Sequence, residues 1–139
     1  MIRKIARDER GQAVTEFAVI LPVLLLVLFA IFQFGIIFNN YIQVTAAARE
    51  GARKGAVNRT TGNCAAVVAL ATSAAKQAAP GLNWASSGAG VNATDTCTSN
   101  ALAQGSDFTI TASYPWTVSL LGQVVASGNL TSATTMRVE

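Results

Sequence analysis

The sequence has no histidine, only two cysteines and three prolines, and just 12% charged residues. Without histidine there is no imidazole base, no His-ligated metal and no Ser-His-Asp arrangement. Two thiols, Cys64 and Cys97, cannot complete a four-ligand zinc site. The seven acids, Asp8, Glu9, Glu16, Glu50, Asp95, Asp107 and Glu139, are scattered rather than paired. No phosphate-binding loop or metal-ligand cluster is visible. These gaps point away from catalysis, and no cofactor or metal is expected.

What is present is apolar: 51% of 139 residues are hydrophobic, a length that suits one compact domain. The net charge of +3 is unevenly placed. Residues 1–60 hold eight of the ten basic side chains and four acids, whereas residues 61–139 hold Lys76 and Arg137 against three acids. Basicity confined to the first part of the chain argues against a nucleic-acid footprint on a folded face.

From Phe17 to Phe38 the chain runs for 22 residues without a charge, and 17 of these are Leu, Ile, Val or Phe. As a helix this run spans about 33 Å, close to the thickness of a bilayer's hydrocarbon core. The favourable insertion sum, about −5 to −10 kcal/mol, exceeds the roughly 3 kcal/mol cost of the flanking Glu16. A transmembrane helix is therefore expected. Arg3, Lys4, Arg7 and Arg10 crowd its N-terminal side, while Arg49, Arg53 and Lys54 lie farther from its other end. That distribution favours a cytoplasmic N-terminus and an extracytoplasmic remainder. On that side Cys64 and Cys97 can form a disulfide, closing a 34-residue loop worth roughly 3 to 4 kcal/mol in the chain-entropy model. Two unpaired small apolar side chains are the alternative.

A cleaved secretory signal has a shorter apolar region. A plain signal anchor fits the length, with an extracytoplasmic binding domain held by an uncleaved helix, but it leaves Glu16 unexplained. The stretch Arg7-x-x-x-Gly11-Gln12-Ala13-Val14-Thr15-Glu16-Phe17-Ala18-Val19-Ile20-Leu21-Pro22 resembles the start of TadE-like proteins, minor pseudopilins of tight-adherence pilus systems. Ala46-Ala47-Ala48-Arg49-Glu50-Gly51-Ala52-Arg53 and the terminal Ala133-x-x-Met136-Arg137-Val138-Glu139 are similar to further blocks of that family.

The resemblance implies a prepilin leader over residues 1–11, removed after Gly11 by a prepilin peptidase, with Gln12 as the new first residue. Glycine, lacking Cβ, suits an extended passage through a narrow protease cleft. Glu16 then becomes the fifth mature residue, with the α-amino group of a neighbouring subunit as its expected partner. The implied partners are the peptidase, other pilins or pseudopilins, the tight-adherence secretion machinery and membrane lipid. Pro22 is expected to bend or loosen the helix near Ala18.

The expected fold is α+β, with a long helix over residues 12–57 and a small lobe over residues 58–139. Ala48, Ala52 and Ala56, with Ala47, Gly51 and Gly55, form small-residue stripes that admit a close backbone neighbour. That neighbour is either another subunit or the chain's own lobe. Glu50 to Lys54 reads as a helical ion pair. A second helix is expected over 64–79, capped by Asn63 and stopped by Pro80-Gly81. Residues 85–106 read as a loop edged by Trp84, a core anchor. A strand is expected over 108–114, interrupted by Pro115-Trp116, with two further strands over 118–121 and 130–138. The Asn-x-Thr triplets at Asn58, Asn92 and Asn129 read as chance, and Asp95 and Asp107 as solvated surface.

Overall fold

A computed structural model describes residues 9–58, 63–94, 97–98, 101–120 and 122–139. The elements are helices α1 (Glu9–Val57) and α2 (Cys64–Ala78), and strands β1 (Gly90–Thr94), β2 (Cys97–Thr98), β3 (Ala101–Leu102), β4 (Asp107–Leu120) and β5 (Gln123–Arg137). This is an α+β architecture. The chain divides into two compact units, one ending at Ile36 and the other covering Ile37–Glu139.

The first unit is the N-terminal part of α1. Its Leu, Ile, Val and Phe side chains point outward all round, with Val19 76% and Phe34 68% exposed. A helix apolar on every side has no polar face to give water. Among the described residues, α1 is the one helix long and apolar enough to cross a membrane. It runs without a break through Pro22. Proline removes one backbone donor, and the helix absorbs that loss without ending.

In the second unit the remainder of α1 contributes Val44, Ala47, Ala48, Ala52 and Ala56 to a core completed by Val67, Ala71 and Ala75 of α2 and Phe108, Ile110 and Ala112 of β4. Asn63 accepts a hydrogen bond from the Ala65 amide on its side-chain oxygen (2.9 Å), capping α2. At the other end of α2 the Trp84 indole N–H points at the carbonyls of Lys76 and Ala79, each 3.2 Å away. The Trp84 ring meets Tyr114 edge-on at 6.2 Å. The half-buried indole thus adds a second donor to helix-end carbonyls that already accept the Ala79 and Leu82 amides at 3.3 Å.

The main sheet has the order β1-β4-β5 and is antiparallel throughout; β2 and β3 form a separate small hairpin. β1 begins with Gly90 opposite Ser113 and ends with Thr94 opposite Thr109. β4 and β5 pair from Asp107 opposite Arg137 to Leu120 opposite Gln123, and their turn passes through Gly122 at φ 82°. Phe108, Ile110 and Ala112 alternate inward, and Thr109 shares a 2.7 Å hydroxyl contact with Thr135 across the pair.

Three expectations need correction. Residues 85–106 are not one loop: they include β1 and the β2–β3 hairpin. β1, GVNAT, is short, and its weak apolar alternation hides it in a Ser/Gly/Asn-rich stretch. Pro115-Trp116 does not interrupt β4, which remains paired at Pro115 opposite Asn129 and Trp116 opposite Gly128. β1 ends its pairing at Ser113, so Pro115 lies where β4 has become an edge strand, and an edge accepts a residue without N–H. The expected strands over 118–121 and 130–138 are instead the end of β4 and a single long β5 with a bulge at Val125.

Candidate functional site

Two stretches of α1 carry residues whose types call for an explanation beyond helix formation. The first holds Gly11, Gln12 and Glu16. Gly11 is exposed and helical, not extended, and a Cβ built on it meets nothing within 4 Å. Glycine in a helix costs about 1 kcal/mol relative to alanine, and packing at this position returns nothing. One turn on, the Gln12 side-chain amide donates to the Glu16 carboxylate at 3.2 Å, and the Thr15 hydroxyl donates to the Gln12 carbonyl at 2.7 Å. Glu16 edges a shallow open recess with Thr15, Val19 and Ile20. Around this carboxylate, among the described residues, stand the Gln12 amide that it binds, Thr15, and exposed Val14, Phe17, Val19 and Ile20.

The second stretch is the small-residue seam in the other unit. A Cβ on Gly51 would lie 2.9 Å from the Ala75 Cβ and 3.1 Å from the Ala71 carbonyl oxygen; one on Gly55 would strike the Phe108 ring. Ala48 and Ala52 beside them are fully buried. Here the small residues face α2 and β4 of the same chain. A third close approach went unread in the sequence. The Gly81 amide donates to the Gln43 side-chain oxygen at 3.0 Å, and a Cβ on Gly81 would crowd that amide group. Gln43 follows an apolar run in which nothing signals its partner 38 residues away.

On the exposed side of the same stretch, Arg53 binds Glu50 through two nitrogens, at 2.7 and 2.9 Å. The Glu50 carboxyl is held below its ordinary value, first by the Arg53 hydrogen bond; desolvation opposes this, and the charges of Arg53 and Lys54 add to it. Arg53 is raised in turn by Glu50. The expected Glu50–Lys54 pair is therefore replaced by an i,i+3 pair, because the planar guanidinium matches both carboxylate oxygens and an ammonium does not.

Cys64 is 7% exposed in the first turn of α2. The Cys97 side chain, Asp95, Arg59, Thr60 and residues 1–8 with Arg3, Lys4 and Arg7 lie outside the described residues. Among the described residues no group of three His, Cys, Asp or Glu side chains is placed to hold a metal.

Gly11, Gln12, Glu16, Pro22, Ala48, Gly51 and Ala52 all fall within one matching region of known proteins. Residues 11–53 match the family model of the TadE-like proteins. That segment is similar to TadE-like proteins. No curated protein and no solved structure matches the chain. The TadE-like segment covers the apolar unit and much of the seam, and it ends before Gly55, α2 and the sheet. The match concerns 43 of the 139 residues, and within it α1 supplies a candidate membrane anchor.

Proposed function

We propose that this chain is a minor pilin or pseudopilin, a structural assembly subunit of a tight-adherence pilus, cut after Gly11 by a prepilin peptidase. The observation that carries this reading is the isolation of Gly11: among the described residues no neighbour lies within 4 Å of where its Cβ would be. A requirement from outside the fold, a cleft that admits only a bare backbone, explains why the helix tolerates it. Glycine also weakens the first turn, and the peptidase must unwind that turn to reach an extended peptide bond.

After the cut, Gln12 bears a new α-amino group. Lipid solvates the apolar helix until it packs beside other pilins or pseudopilins and the secretion machinery. Glu16 accepts the α-amino group of a neighbouring subunit, an ion pair that offsets the cost of a carboxylate in an apolar surrounding. Pro22 marks where the helix can yield as subunits pack. The N-terminus faces the cytoplasm, the lobe lies outside the inner membrane, and Cys64 pairs with Cys97 there to brace it. Binding of nucleic acid has no part in this reading.

Intact mass and N-terminal sequencing of protein from its native host test it. The expected mature chain starts at Gln12, and Gly11→Leu accumulates the uncut form. A chain from native membranes that retains Met1 overturns the proposal. Glu16→Leu is expected to be cut normally yet fail to enter filaments; normal incorporation would remove the ion-pair step.

A further inference from the structure

β5 is a 15-residue strand with one partner. Among the described residues, β4 covers one of its edges and no strand covers the other. Folded proteins normally guard such an edge with lysine, proline or a short strand. From Gln123 to Met136 there is no charge and no proline, and the one bulge sits near the turn, at Val125. From Ala126 to Arg137 the pairing with β4 is regular. No residue of β5 is fully buried, whereas Phe108, Ile110 and Ala112 of β4 are. Leu130 and Met136 reach the core but stay part-exposed. The strand is thus incomplete on its edge and on its inner face.

The order of residues along β5 says what completes it. Set a second copy antiparallel to the first, with Ala133 facing Ala133 across a two-fold axis. On the exposed face Thr131 then meets Thr135, and on the inner face Ser132 meets Thr134 and Leu130 meets Met136. Hydroxyl opposes hydroxyl, apolar opposes apolar, and Arg137, the one charge on the strand, faces Asn129. Moving the centre by one residue in either direction sets Leu130 against Thr134, or Ser132 against Met136. Matched cross-strand pairs each add to sheet stability, and like charges opposite one another subtract from it.

We propose that the open edge of β5 pairs with β5 of a second copy of this chain, antiparallel and centred on Ala133, joining two sheets into one of six strands. The proposal concerns the lobe alone and does not depend on processing at Gly11.

Cysteine cross-linking of the full chain in native membranes tests partner and register together. Residues directly opposed in an antiparallel pair have Cα atoms about 4.5–5.5 Å apart, within the roughly 7 Å that a disulfide bridges. Thr131 and its own copy would be offset by four residues, roughly 13 Å. Under mild oxidation Ala133→Cys is expected to form a covalent dimer on non-reducing gels, relative to the unsubstituted chain. Thr131→Cys and Thr135→Cys chains are expected to link when co-expressed and not when expressed singly. All three positions are exposed, so folding is spared. Failure of Ala133→Cys or of the mixed pair overturns the proposal, as do equal yields from every variant, which would mean random collision or another partner on this edge.

Discussion

The two parts of α1 are one helix by backbone and opposites by side chain. Between Val14 and Ile42 its large apolar residues are exposed, from 37% at Phe29 to 76% at Val19, apart from half-buried Leu21 and Ile37. Between Val44 and Ala56 the buried positions are valine, alanine and glycine, and Ala47, Ala48 and Ala52 have no exposed surface. Burial in this molecule therefore does not follow hydrophobicity. The greasiest segment is exposed among the described residues and suits lipid as its solvent. The mildly apolar one is covered because small side chains let α2 and β4 approach its backbone, where dispersion contacts accumulate.

The contrast breaks most readily at the ring that fills the seam. Phe108→Ala is expected to destabilise the lobe by about 3–5 kcal/mol, read as a lowered unfolding midpoint of the full chain in detergent. Gly55→Ala drives a Cβ into that ring and is expected to cost about 1–3 kcal/mol. Combined with Phe108→Leu, the loss should be less than additive, because both changes act on one contact. Trp84→Phe removes the indole N–H shared by the Lys76 and Ala79 carbonyls, which keep their backbone donors, with an expected loss of about 0.5–1.5 kcal/mol. In the other part of the helix, Leu25→Ala is expected to leave lobe stability within about 0.5 kcal/mol; a loss as large as that of Phe108→Ala would erase the distinction.

The smallest expected effect is electrostatic. Because the folded Glu50 carboxyl lies below its ordinary value of 4.5, its contribution is present above that value and lost as pH falls through the lowered one. An acid titration of lobe stability should show a minor extra loss below about pH 4.5 that Arg53→Gln removes and that molar salt suppresses, since an exposed pair is screened.

The apolar run and the likeness of residues 11–53 to TadE-like proteins were readable because each is a local pattern: a composition or a motif. Asn63 as a cap and the alternation from Phe108 to Tyr114 were readable for the same reason. The sequence hid β1, the continuity of β4 across Pro115, and β5 as one strand. In each case the deciding partner lies far along the chain, and a strand with weak alternation is fixed by its neighbour rather than by itself. The choice of Arg53 over Lys54 was likewise hidden, since both lie on the same helical side of Glu50 and side-chain geometry decided between them.

By itself the sequence determined that a bilayer-length helix leads the chain, since transfer of that many apolar side chains depends on composition and hardly on context. It also determined that small residues mark a close approach further along, because only they permit one. The tertiary structure alone decided what makes that approach: Ala71, Ala75, Phe108 and Ile110 close on Gly51 and Gly55 from across the lobe. Among the described residues it also left one edge of β5 without a partner strand. Both depend on which distant backbones meet, a matter of three-dimensional packing that no local run of residues encodes.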